Sequence, residues 1–175
     1  IQLDLGAFAA AEQLFVRALA IREKTFAPDS REVAKSVAAL GTYYVQRGDA
    51  VRAAPLLERA LPLYEKLYGK DDLEVATTIV AVGDLQLLRR EFAAAQASYT
   101  RAQAIWTRQY GADSPKACPA RIGLGELALA EGRPDEAIAR LEPLEPLCTI
   151  AGTPRYIREI LGRARRARGA HGKTQ

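Results

Sequence analysis

Side chains that could carry acid–base, nucleophilic or metal chemistry are few and scattered in this sequence of 175 residues. His171 is the only histidine, so neither a triad nor a histidine-rich metal centre can be built around it. Cys118 and Cys148 are the only cysteines, too few for a disulfide framework and not spaced as a CxxC pair. They are expected to be two unlinked, partly buried thiols, as a reducing cytosol would keep them, with a redox bridge, brought within reach by antiparallel packing of their helices, as the lesser alternative. No phosphate-binding glycine loop and no HExxH metal motif occurs. The carboxylates are spread along the chain, with no apolar setting that would tune one of a pair as an acid. The expectation is a protein without enzymatic activity, cofactor or metal.

Charge is the other chemically distinctive feature. Residues 151–175 carry Arg155, Arg158, Arg163, Arg165, Arg166, Arg168 and Lys173 against Glu159 alone. That segment is +6 in a chain of net +4, so the body is slightly acidic. The run Arg163 to Arg168 could meet phosphates, but no aromatic residue interleaves it for base stacking. A solvated basic helix end, suited to the negative pole of the helix dipole, explains it as well. Binding of nucleic acid or another polyanion by this segment is therefore the second reading.

The bulk composition, 49% hydrophobic and 26% charged, is that of a folded domain. No apolar run nears the roughly 18 residues of a membrane span, so no membrane partner is expected and a cytoplasmic location is. The sequence has no Met and many more Arg than Lys. It is expected to be a fragment of a larger regulatory protein of bacterial origin.

The elements that position these groups repeat. Ala53, Arg59, Ala60 and Tyr68-Gly69 return 42 residues later as Ala95, Arg101, Ala102 and Tyr110-Gly111. The same interval links Gly41, Gly83 and Gly125, each after an apolar residue. Backwards it reaches Ala11, Arg17, Ala18 and Phe26, and forwards Ala137. A repeat of this length denotes stacked supersecondary units sharing one core. Apolar residues at the 3.6 period and cap signals at Ser30, Asp72 and Ser114-Pro115 predict helices joined by short turns. The first is predicted over 8–24, after a helix end at 1–5, and another from Pro134 to Cys148, distorted by Pro143 and Pro146.

The residues Leu40-Gly41, Tyr44, Ala53, Leu57 and Ala60, with their counterparts Val82-Gly83, Ala95, Tyr99 and Ala102, resemble the tetratricopeptide repeat. The 42-residue period and the Tyr-Gly turn are similar to the kinesin-light-chain type. The resemblance implies an all-α fold, a right-handed α-solenoid of antiparallel helix pairs with about eight helices. It implies a solenoid over 1–150, with a partial first unit at 1–27 and units at about 30–69, 72–111 and 114–150. A basic helix over 151–168 and a flexible tail over 169–175 follow.

The family implies a protein-interaction scaffold that takes a partner segment in the concave groove lined by the first helix of each unit. Carried onto this sequence, the groove consists of Lys35, Ala38, Thr42 and Val45, then Thr77, Val80, Asp84 and Leu87, then Pro119, Ile122, Glu126 and Leu129. Asp84 and Glu126 in equivalent places suit a segment with apolar anchors and a basic residue. The family's paired asparagines are replaced by Ala38-Ala39, Val80-Ala81 and Ile122-Gly123. The truncated first unit implies an exposed apolar face at Leu3, Leu14 and Phe15, through which copies of the chain would associate.

Overall fold

Caps and small residues decide where this chain's helices start and how closely they pack. The structure, a computed structural model, describes residues 2–112, 114–149 and 153–171, with side chains over 10–112, 114–149 and 153–170. Among the described residues there are eight α-helices and no strand. They are α1 (Gln2–Thr25), α2 (Arg31–Gln46), α3 (Ala50–Tyr68), α4 (Leu73–Leu88), α5 (Phe92–Tyr110), α6 (Cys118–Ala130), α7 (Pro134–Leu141) and α8 (Thr153–His171). The expected all-α class is the observed one.

Side-chain oxygens satisfy backbone donors that a helix start leaves unpaired. Ser30 accepts from the Val33 amide at 3.3 Å, Asp49 from Arg52 at 3.0 Å and Asp72 from Glu74 at 2.8 Å. Ser114 accepts from the Lys116 amide at 3.2 Å and opens a 3-10 turn that leads into α6.

Three helices depart from the expected bounds. α1 is continuous from Gln2, because one glycine at position 6 costs only about 1 kcal/mol within an alanine-rich run. α8 likewise continues past Gly169 to His171. α7 ends at Leu141 and tightens into a 3-10 turn over Glu142–Leu144 instead of reaching Cys148. Pro143 lacks the N–H a further turn needs, and its ring collides with the carbonyl four residues back.

Contacts divide the chain into two compact units, Ile1–Arg89 and Arg90–Gln175. In the first, α2 and α3 enclose a core of Leu40, Tyr43, Tyr44, Ala53, Ala54 and Leu57, joined by Ala81 and Leu85 of α4. Gly41 makes this packing possible: a Cβ there would lie 2.9 Å from Leu57 Cδ2. In the second unit the same contact recurs two intervals on, where a Cβ at Gly125 would lie 2.5 Å from Leu141 Cγ. There α6, α7 and α8 share a core that includes Ile122, Ile138, Leu141, Leu144, Ile157 and Ile160. Turns repeat as well. Gly48 and Gly132 adopt left-handed φ of 73° and 76°, and Arg90, midway between them, holds φ 61°. A residue with a Cβ accepts this at roughly 1–2 kcal/mol. The Arg90 guanidinium lies 5.5 Å from the Phe92 ring centroid, a partial offset.

The cysteines correct the expectation of unlinked thiols: Cys118 and Cys148 are joined in a disulfide, their Cα atoms 6.0 Å apart. Both are buried in the α6–α8 core. Cys118 starts α6, and Cys148 ends the turns that follow α7, so antiparallel packing of these elements brings the two sulfurs together. The inference from unlinked thiols to a reducing compartment thereby loses its premise.

The expected N-terminal patch is partly present. Leu14 is 67% exposed and Ile21 53%, but Phe15 turns inward, 5.4 Å from the Tyr43 ring. The side chain of Leu3 lies outside the described residues.

Two outcomes follow for stability. Gly125→Leu should cost on the order of 1–3 kcal/mol or more, because the new side chain occupies the space of Leu141; urea unfolding measures it. Replacing both Cys118 and Cys148 by Ala should cost roughly 3–4 kcal/mol through the freed loop, and the unreduced parent chain should show no titratable thiol.

Candidate binding site

On α2 the residues Lys35, Ala38, Ala39, Thr42 and Gln46 fall at helical spacing on one face. Glu74, Thr77 and Thr78 do the same at the start of α4. Between these two stripes lies a hollow of about 380 Å³, closed by Phe15 of α1, Tyr43 of α2 and Tyr64 of α3. The volume is at the small end of the range for ligand pockets, about 300–1,000 Å³. The floor is aromatic and the rim polar.

Each side chain arrives there for a local reason. Ala38 and Ala39 are small, so the two stripes leave space between them. Thr78 is buried, and its hydroxyl is spent on the Glu74 carbonyl at 3.1 Å. Thr77 binds back to Leu73 O at 3.2 Å. Tyr64 is 5% exposed and stacks on Tyr68 with ring centroids 5.8 Å apart. Its hydroxyl makes no hydrogen bond among the described residues. Burial first, and then the Glu74 carboxylate, push Tyr64 up to about 12, so the phenol stays protonated and able to donate. Behind it the Tyr68 hydroxyl is buried without a partner, and the Arg31 guanidinium lies 5.9 Å from that ring. Lys35 and Glu74 are both exposed, and neither enters an ion pair among the described residues.

Four of the groove residues expected from the sequence line this hollow: Lys35, Ala38, Thr42 and Thr77. Val45, Val80, Asp84 and Leu87 are half-buried on α2 and α4 and do not line it. In the second unit Pro119 is exposed, whereas Ile122 is in the core with Ile157 and Ile160 of α8, and Leu129 packs against the same cluster. Glu126 accepts a hydrogen bond from the Tyr156 hydroxyl of α8 at 2.7 Å. The chain's own last helix thus covers Ile122 and Glu126, while Pro119 stays exposed. The sequence reading missed Tyr64 and Glu74. Extending the stripe Ala53, Leu57, Ala60 by one helical turn reaches Tyr64, and Glu74 stands one turn before Thr77.

Arg121 reaches the Ala112 carbonyl at 3.5 Å, and Glu145 pairs with Arg158. No group of three or more potential metal ligands occurs among the described residues. Among the same residues no helix is long and apolar enough to cross a membrane.

A family model described as tetratricopeptide repeat matches residues 1–66, 40–105 and 74–142. The chain belongs to the tetratricopeptide-repeat family. Among solved structures it is similar to nearly identical TPR-like repeats attributed to a kinesin light chain of Podosopora anserina. One such structure is 18% identical with a TM-score of 0.70, covering 97% of this chain and 83% of that one. A single-residue variant of those repeats is 19% identical at the same TM-score, covering 97% and 82%. BtubC (BKLC) from P. vanneervenii is 22% identical with a TM-score of 0.63; the match covers 95% of this chain and 59% of BtubC. No curated protein matches the chain. These likenesses bear on the fold alone.

Glu126 yields a pH test. Burial raises its carboxyl above the ordinary value of 4.5, against the hydrogen bond from Tyr156 and the charge of Arg163, while Glu159 adds to the rise. The folded state therefore holds this proton more tightly than the unfolded chain. Its contribution is full below the ordinary carboxylate range and is lost as pH rises through the raised value. Glu126→Gln, which keeps an acceptor for Tyr156, should melt higher than the parent at pH 7 and at the same temperature near pH 3.5. Paired thermal scans at the two pH values check it.

Proposed function

We propose that this tetratricopeptide-repeat chain is a non-enzymatic scaffold that docks a peptide segment of a protein partner on the α2–α4 face of its first unit. The single observation that supports this most is the hollow there, which combines apolar walls with a hydroxyl, an ammonium and a carboxylate that have no partner among the described residues. An interface core of that kind, apolar inside and polar at the rim, is how protein segments are held. A repeat scaffold from a larger, regulatory protein of bacterial origin is the setting this reading gives it.

The second reading, polyanion binding by α8, has less behind it. Arg158 pairs with Glu145 at 3.3 Å, Arg165 with Glu142 at 2.9 Å and Arg168 with Asp135 at 3.7 Å. Half of the helix's arginines are thus already held in ion pairs.

Selection of a displayed random heptapeptide library on the chain separates the two readings. Peptides should be enriched, and Ala39→Trp, which fills the hollow from an exposed position, should abolish their binding without changing the melting temperature. Between 50 and 500 mM salt their affinity should fall less than about ten-fold, unlike phosphate-driven binding, which falls by orders of magnitude. Failure to enrich any peptide, together with tight, salt-sensitive binding of a heparin fragment, would favour the α8 reading.

A further inference from the structure

Lys35 and Glu74 stand on opposite sides of one hollow, carry opposite charges, and do not pair with each other or with any other described residue. Other opposite charges on this unit do pair: Arg52 with Glu12 at 2.5 Å, Arg59 with Glu23 at 2.5 Å and Lys66 with Asp29 at 2.6 Å. Tyr64, nineteen-twentieths buried, lines the same hollow, with a hydroxyl that has no hydrogen bond among the described residues. The ring is buried while the hydroxyl, which is not among the buried atoms without a partner, still meets solvent in the hollow, and burial of the residue keeps it a donor rather than a phenolate. An ammonium, a carboxylate and a phenolic donor around one small apolar-walled space together specify a complementary ligand: an anion, a cation and an acceptor on a short backbone.

We propose that the hollow recognises a short extended peptide stretch of mixed charge, in which an acidic side chain meets Lys35, a basic side chain meets Glu74, and a backbone carbonyl accepts from the Tyr64 hydroxyl. An extended stretch is the fitting form because its alternate side chains point the same way, which places the acid and the base on one face with the carbonyls between them. The volume admits only a few residues, so the two charges are close in the partner's sequence. This rests on the peptide-docking reading above and adds which peptides are chosen. The basic residue is met by Glu74, and not by Glu126, which is bound by Tyr156.

The same heptapeptide selection tests it, followed by titration of the enriched synthetic peptides against variants of the whole chain. Enriched sequences should carry an acid and a base within a few positions of each other. Lys35→Glu should weaken them at least ten-fold. Tyr64→Phe should weaken them about five- to ten-fold at an unchanged melting temperature, since the hydroxyl it removes bonds to no described residue. The double exchange Lys35→Glu with Glu74→Lys should restore binding for peptides in which acid and base are swapped. If peptides bind and are blocked by Ala39→Trp, yet are uncharged or indifferent to Lys35→Glu and Tyr64→Phe, this inference falls while peptide docking stands. If free glutamate or free lysine competes fully at matched concentration, the site takes a small zwitterion and the inference also falls. If no peptide is enriched, both fall.

Discussion

Everything in this molecule depends on how near two helices can come. At Gly41 and again at Gly125 the partner leucine fills the space a Cβ would need. Interiors are packed to the density of organic crystals, so a helix pair held this close has one register and little freedom to slide. That register sets the α2 stripe opposite the α4 stripe in the first unit, and the hollow is the space their small residues leave. The third glycine of the series, Gly83, is buried too. Gly123, which is not in it, faces the Tyr99 ring so closely that a Cβ would overlap the ring. Glycine thus serves two contacts of α6, one toward each neighbouring helix.

Much of the fold was legible because its rules are local. Ser30, Asp72 and Ser114 act as caps by chemistry that needs only a few neighbouring residues, and the 42-residue interval exposed the packing glycines and the turn glycines. What was not legible depended on distance in space. The pairing of Cys118 with Cys148 requires knowing where the turns after α7 end, and Pro143 and Pro146 hide that from a periodicity argument. The covering of Ile122 and Glu126 requires knowing that α8 returns onto α6. For the hollow, the α2 period pointed to Lys35, Ala38 and Thr42, whereas Val45 does not line it and Ala39, Tyr43 and Gln46 were not read as part of it. Tyr64 was not legible, because it belongs to a different helix and is brought in only by packing.

Charge plays a different part at each end of the described chain. Around α1 the ion pairs run from one helix to another: Arg52 joins Glu12, whose carboxylate also accepts from the Tyr44 hydroxyl at 3.1 Å, and Arg59 joins Glu23. Exposed pairs of this kind contribute little to stability, but they select orientation. On α8 the arginines divide by face. Those beside α7 meet its acids and those of the turn after it, while Arg155 and Arg166 lie on an exposed face with Glu159. A repeat stack needs a polar outer face wherever it meets water, and this helix has one.

The bridge between Cys118 and Cys148 has a mechanical meaning beyond its part in folding. It turns residues 118–148 into a covalently closed ring, with α6 and α7 inside it. A pull applied at the two ends of the chain would pass from Cys118 directly to Cys148 through the sulfurs. The 30-residue separation, on the order of 100 Å of contour length when extended, would stay out of the load path. Under tension the remainder of the chain could unravel while the α6–α7 pair kept its length, and only a reductant would release that hidden slack.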